Sequence, residues 1–97
     1  MDKIICVSYD SDIDIVKEII RKVCNENKLI LKDHEPLIKI NEYGESSIKI
    51  LCRVWTKSSD YFGVFFDLLE DIKKEFDKEN IIIPYPKLDV NIYNKKL

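Results

Sequence analysis

The sequence predicts a small α+β domain, and three observations support this fold class. Of its 97 residues, 45% are apolar and 35% are charged, which is typical of one folded domain rather than a disordered tail. The apolar residues change between the period of two that strands show and the period of three to four that helices show. Turn and cap residues separate these segments. We therefore expect the order strand, helix, hairpin, helix and a final strand.

The composition argues against several classes of function. Sixteen basic and eighteen acidic residues give a net charge of −2, which disfavours a protein that binds nucleic acid through its phosphates. The longest apolar stretches, residues 61–66 and 81–86, are far shorter than the ~20 residues of a transmembrane helix. The N-terminus lacks the features of a secretory signal, so we expect the chain as written to stay in the cytosol.

The first predicted elements are a strand and a helix. Residues 4–9 are too rich in apolar side chains for a strand with one hydrated face, which predicts a strand inside a sheet. Asp10, Asp12 and Asp14 then alternate as they do at the start of a calcium loop, but the glycine and glutamate of such a loop are missing. We therefore expect a helix N-cap. The apolar stripe of this helix is Ile13, Val16, Ile19, Ile20 and Val23.

The middle of the chain predicts a β-hairpin followed by a second helix. Residues 37–43 and 47–56 flank a turn at Gly44-Glu45. Residues 58–60 supply a cap, and the helix ends near Asn80. The predicted core stripe of this helix is Tyr61, Phe65, Leu68, Leu69, Ile72 and Phe76.

Three aromatic residues lie outside the predicted core positions. Phe62 and Phe66 are off the helix stripe, together with Val64, and Trp55 is on the second face of the hairpin strand with Leu51. Core packing is the ordinary role of such side chains in a small domain. Their number nevertheless predicts a subunit interface formed by Trp55, Phe62 and Phe66.

The C-terminal residues predict a strand that leaves the domain. Pro84 and Pro86 remove two backbone donors, which a central strand cannot tolerate. A further run alternates apolar and polar side chains, and a strand detached in this way needs a partner, which predicts self-assembly. Its residues are Leu88, Asp89, Val90, Asn91, Ile92 and Tyr93.

The residues that often carry chemistry form no recognisable site in this sequence. Cys6, Cys24 and Cys52 share no C-x-x-C spacing and lie in apolar patterns, so we expect buried, reduced thiols. The only histidine, His34, lies in a polar connection and is predicted to be an exposed turn residue. With two glycines and no motif around any serine, we expect no cofactor, no metal and no enzymatic activity.

Four stretches, taken in order, closely resemble the C-terminal cytoplasmic domain of the small-conductance mechanosensitive channel (MscS) family. Each stretch is short, but together they cover nearly the whole chain, and the motif Ile83-Pro84-Tyr85-Pro86 before a closing strand is the most distinctive. The stretches are residues 7–17 (VSYDSDIDIVK), 53–55 (RVW), 67–76 (DLLEDIKKEF) and 83–91 (IPYPKLDVN).

The resemblance implies a fold and a role. Residues 1–83 would form an α+β vestibule domain with a ferredoxin-like mixed sheet and two helices on one face. Residues 84–97 would form the bend and the strand Leu88 to Tyr93, which joins a parallel β-barrel in the family. The family implies a homoheptamer on the cytoplasmic side of the inner membrane, through which ions and small osmolytes pass on hypoosmotic shock.

The chain differs from that family in lacking its transmembrane helices and middle β domain. We therefore expect no conduction by these 97 residues alone, and a link to the membrane only through the absent part. The alternative is a free-standing ferredoxin-like module that binds a small ligand or has a regulatory role, which rests on analogy between folds.

Overall fold

The elements follow one another in the predicted order. The structure is a computed structural model that describes residues 1–84. A three-residue 3₁₀ turn, Ser58–Asp60, precedes the last helix. The strands are β1 (Asp2–Val7), β2 (Leu37–Tyr43) and β3 (Ile48–Arg53), and the helices are α1 (Ile13–Glu26) and α2 (Tyr61–Lys78). The α+β class, the hairpin and both helices are thereby confirmed.

The sheet has the strand order β1-β3-β2, and both pairings are antiparallel. Two expectations about it were wrong for the described residues: the sheet is antiparallel rather than mixed, and β1 is an edge strand rather than an interior one. Ile5 and Val7 of β1 face the core, whereas Ile4 on the opposite side of the pleat is 44% exposed. Strand β1 thus has apolar side chains on both faces although it lies at the edge of the sheet, and only Ile5 and Val7 belong to the core.

Helix α1 begins as its sequence predicts. The side chain of Asp12 accepts hydrogen bonds from the backbone N–H groups of Asp14 and Ile15, at 3.0 and 3.4 Å, and so caps the helix. The predicted stripe is buried from Val16 to Val23, and Cys24 joins it. Because Ile48, Ile50 and Cys52 are the buried side chains of β3, both helices cover the same face of the sheet.

Helix α2 buries only part of the predicted stripe, and Val64, which was placed off that stripe, is buried with it. Its buried residues are spaced by four: Val64, Leu68, Ile72 and Phe76. Tyr61 and Leu69, which were expected in the core, are 40% and 45% exposed. The helix surface row i, i+4, i+8 packs against α1 and the sheet, and this rotates Tyr61 and Leu69 outwards.

The ends of α2 differ from those of α1. Residues 58–60 form the 3₁₀ turn, and the N-cap residue Asp60 makes no side-chain capping hydrogen bond, contrary to the predicted cap. Beyond the last turn, Asn80 has a left-handed φ of 57°, which asparagine tolerates and which ends the helix as predicted. Neither helix among residues 1–84 has the length and apolar content needed to cross a bilayer.

Candidate functional site

An exposed apolar stripe runs along α2 on the side away from the core. Phe62 is 72% exposed, and Phe66, one helical turn later, is 59% exposed. Leu69 continues the same row at a spacing of three. Contact of phenyl rings with water is unfavourable. A row of such exposed rings is typical of a surface that another protein covers.

Local aromatic contacts hold the stripe in place. Tyr61 meets Phe62 edge to face with ring centroids 5.6 Å apart, and Phe65 meets Phe66 in the same way at 5.4 Å. The ammonium group of Lys3 lies 4.3 Å from the ring centroid of Phe65. Partial burial of this ammonium group lowers the pKa of Lys3. These pairs restrict the phenyl side chains and so reduce the entropy lost when a partner covers them.

A groove of about 270 Å³ lies beside the stripe, between α2 and β1. Residues 3–6 of β1 form one wall, Leu69 forms part of the other, and Ile83 and Pro84 lie at the end where the chain leaves the domain. The backbone N–H of Ser8 donates to the carbonyl of Ile82 at 3.0 Å, which ties this exit segment to the end of β1. The stripe and the groove together form one apolar area, here called the α2–β1 surface.

Trp55, which was grouped with Phe62 and Phe66, makes its aromatic contact with a different residue. Trp55 is half-buried and stacks on His34 at a ring-centroid distance of 4.9 Å. Its carbonyl accepts from the backbone N–H of Leu31 at 2.8 Å, so Trp55 is bound to the connection between α1 and β2. His34 itself is exposed in a bend, as predicted. That Trp55 shares one interface with Phe62 and Phe66 stays a prediction.

The signal for Leu69 was present in the sequence but ambiguous. Leu68 and Leu69 are adjacent, and either could continue an apolar stripe from the first turn of α2. The run Val64, Leu68, Ile72, Phe76 has a strict spacing of four, and giving it precedence would have exposed Leu69. The apolar face of α2 is thus too wide for one core.

The bend motif is described only in part. Ile83 and Pro84 are placed at the groove, whereas Tyr85 and Pro86 lie outside the described residues. The predicted strand, Leu88 to Tyr93, also lies outside them.

The three cysteines are free thiols, as expected. Cys24 and Cys52 are buried in the core, which confirms their predicted placement. Cys6 is only partly buried, because it lies on the face of β1 opposite to Ile5 and Val7.

Comparison with known proteins places this domain in a family. Residues 3–83 match the family model described as the C-terminal part of the mechanosensitive ion channel MscS. The chain is 44% identical, over 96% of its length, to an uncharacterized MscS family protein of Buchnera aphidicola from Acyrthosiphon pisum, and covers 30% of that relative. It is 41% identical, over 96% of its length, to the small-conductance mechanosensitive channel of Edwardsiella ictaluri, and covers 32% of it.

A solved structure gives the same assignment. The crystal structure of Helicobacter pylori MscS in its closed state matches 90% of this chain and 35% of its own, with a TM-score of 0.83 and 35% sequence identity. The chain thus spans about a third of the length of the relatives that it matches. Because residues 3–83 match the family model and the fold is shared, the chain belongs to the MscS family of mechanosensitive channels and contains its C-terminal domain.

Proposed function

We propose that this chain is the cytoplasmic vestibule domain of a mechanosensitive channel that releases ions and small osmolytes on hypoosmotic shock. The observation that carries the proposal is the match of residues 3–83 to the family's C-terminal domain, with a TM-score of 0.83 to a closed MscS structure. The domain acts as part of a full-length channel on the cytoplasmic side of the inner membrane. It forms a chamber wall and catalyses no reaction.

The vestibule requires identical subunits, seven of them in the family that the chain resembles. The exposed stripe on α2 supports this assembly, because Phe62 and Phe66 present apolar area that the described domain leaves uncovered. We assign one face of the subunit contact to the α2–β1 surface. In this proposal the residues that follow Ile83 and Pro84 include a C-terminal strand, Leu88 to Tyr93, that joins its copies in a barrel.

A chimeric channel tests the function. Residues 1–97 replace the C-terminal domain of the Edwardsiella ictaluri channel, and the chimera is expressed in bacteria that lack their own mechanosensitive channels. We expect the cells to survive a sudden fall in osmolarity, and membrane patches to show tension-gated currents. A chimera that assembles in the membrane but gives neither survival nor current contradicts the proposed function.

Two substitutions in the same chimera test the α2–β1 surface separately. Phe62→Asp with Phe66→Asp places two charges on the stripe, and we expect loss of the oligomer in native mass spectrometry. Tyr43→Asp on β2 is the matched control, because Tyr43 is equally exposed, at 70%, and lies outside the surface. An unchanged oligomer in the double variant refutes this contact while leaving the channel function intact.

A truncation tests the C-terminal strand. The chain and a version that ends at Pro86 are compared by native mass spectrometry. We expect higher oligomers only from the chain that contains Leu88 to Tyr93, since the barrel satisfies the backbone groups of the strand edges. Identical monomers from both versions would count against association of these chains through the barrel.

A further inference from the structure

Two of the three cysteines meet inside the core. The Sγ atoms of Cys24, in the last turn of α1, and Cys52, on the central strand β3, lie 3.7 Å apart. Their exposed fractions are 0% and 1%. A disulfide has an S–S length of about 2.05 Å, so the two sulfur atoms need to approach by only ~1.6 Å. The two side chains have to move by this distance for the bond to form.

The surroundings of the pair make the two thiols different. The hydrogen bond that Cys24 shares with Cys52 lowers the pKa of Cys24, burial opposes this effect, and the positive charges of Lys32 and Arg21 lower the pKa further. The ammonium group of Lys32 also donates to the carbonyl of Cys24 at 3.3 Å, which keeps this charge beside the sulfur. The same hydrogen bond, together with burial, raises the pKa of Cys52. The position of Lys32 beside Cys24 therefore favours Cys24 as the nucleophile of the pair.

We propose that Cys24 and Cys52 form a redox modification site, at which a peroxide converts the two thiols into a reversible disulfide that ties α1 to β3. This inference concerns the interior of the domain and is independent of the proposed channel function. Cys6 takes no part in it, because it lies on the opposite face of the sheet.

The chemistry balances with hydrogen peroxide as the oxidant. The Cys24 thiolate attacks one peroxide oxygen, the O–O bond breaks, and hydroxide leaves, which gives the sulfenic acid of Cys24. The sulfur of Cys52 then attacks the sulfenic sulfur, the S–O bond breaks, and the oxygen leaves as water with the thiol proton of Cys52. The hydroxide from the first step takes up the proton that Cys24 had released. In total, two thiols and one peroxide give one disulfide and two waters.

The oxidised bond closes a loop between positions that are 28 residues apart in the chain. A cross-link of this span removes conformational entropy from the unfolded chain, and it joins the end of α1 to the centre of the sheet. We therefore expect the oxidised domain to melt roughly 10 °C above the reduced one, with reversal by dithiothreitol.

The test uses the chain with Cys6→Ser, which removes the more accessible thiol and leaves the pair unchanged. After treatment with hydrogen peroxide, we expect the mass to fall by two hydrogen atoms, with both free thiols lost. Digestion without reductant should give one cross-linked peptide pair that contains Cys24 and Cys52. Circular dichroism recorded during the treatment establishes that the protein stays folded.

Three results would overturn the proposal: both thiols still titratable after oxidation of the folded protein, stable sulfinic acid without a cross-link, or disulfides between molecules only. A second variant, Cys52→Ala, checks the order of the steps. We expect it to trap the sulfenic acid of Cys24, which dimedone then labels, and to form no cross-link. If Cys52→Ala fails to fold, the peptide map of the Cys6→Ser chain still shows whether Cys24 and Cys52 form the disulfide.

Discussion

The two helices differ in how many of their apolar side chains they bury. Helix α1 buries its stripe within the domain and leaves one large apolar residue of its interior, Ile15, substantially exposed. Helix α2 buries four residues but also exposes Tyr61, Phe62, Phe66 and Leu69. Both helices pack on the same face of one sheet, so the sheet does not explain the difference.

The difference separates folding from assembly. A helix that only stabilises its own domain needs one apolar stripe, and α1 has one. The second stripe of α2 adds nothing to the core and is unfavourable in water, so a partner surface is its physical explanation. The comparison therefore predicts that α1 and the inner face of α2 determine stability, whereas the outer face of α2 determines association.

The sharpest test of this division substitutes two phenylalanines on the same helix. Phe76 is fully buried, and Phe76→Ala should lower the free energy of unfolding by about 3–5 kcal/mol. Phe66→Ala removes the same atoms from a site that is 59% exposed, so we expect a loss below ~1 kcal/mol. Urea denaturation of the two variants measures both values. Equal losses would show that the outer face of α2 also belongs to the folding core.

A second prediction concerns the joint between the helices. The amide of Asn27, just after α1, donates to the Oδ2 atom of Asp67 on α2 at 3.1 Å and accepts from the backbone N–H of Leu29 at 2.9 Å. Asn27 is buried, and Asn27→Ala removes both of these hydrogen bonds, so it should cost about 1–3 kcal/mol. The control is Asn25→Ala, an exposed position in α1, which should change stability by at most ~0.5 kcal/mol. If Asn27→Ala lowers the free energy of unfolding no more than Asn25→Ala does, the hydrogen bonds of Asn27 do not hold the two helices together.

The N-termini of the two helices give a third, smaller contrast. Asp12 caps α1 with two hydrogen bonds, and Asp12→Ala should lower the free energy of unfolding by about 1 kcal/mol. Asp60 stands at the same position of α2 but makes no capping hydrogen bond. Asp60→Ala should therefore lose only the helix-dipole contribution, about 0.5 kcal/mol or less. Thermal melts of both variants distinguish these losses, and the reverse order would contradict the assigned caps.

Most of the described fold could be predicted from the spacing of apolar residues. Helix α1 and the hairpin each match one periodic pattern, so their positions and buried faces followed from the sequence. The buried face of α2 followed only in part, through Leu68, Ile72 and Phe76, because apolar residues on two sides of the helix fit two different stripes. The edge position of β1 was also missed, since apolar density reports burial and not the order of strands in a sheet.

Contacts between distant residues were the part that spacing could not supply. Trp55 was grouped with Phe62 and Phe66 because all three lay outside the predicted core, yet its stacking partner is His34. The approach of Cys24 to Cys52 depends on how α1 crosses the sheet, and no rule of spacing predicts it. The α2 stripe of the candidate site was predicted in part, through Phe62 and Phe66, and extended by Leu69.

The last prediction concerns the ion pairs that link the outer surfaces of the helices. Glu75 of α2 accepts from Lys78 at 2.8 Å and from Lys22 of α1 at 3.1 Å, and these hydrogen bonds lower its pKa from the ordinary value of 4.5. A carboxylate with a lowered pKa stabilises the folded state above its ordinary pKa, and this contribution disappears as the pH falls through the lowered value. Glu75→Gln should therefore be slightly less stable than the parent chain at neutral pH.

The difference in the free energy of unfolding between the parent chain and Glu75→Gln should shrink as the pH falls below about 4.5. Added salt should reduce the same difference at neutral pH. Urea midpoints across this pH range measure it. Glu70→Gln is the control, because Glu70 is exposed on α2 and outside the ion pairs of residues 1–84. If the effect of Glu75→Gln is the same at every pH, the link between α1 and α2 depends on packing alone, since only the charged carboxylate can lose its contribution in acid.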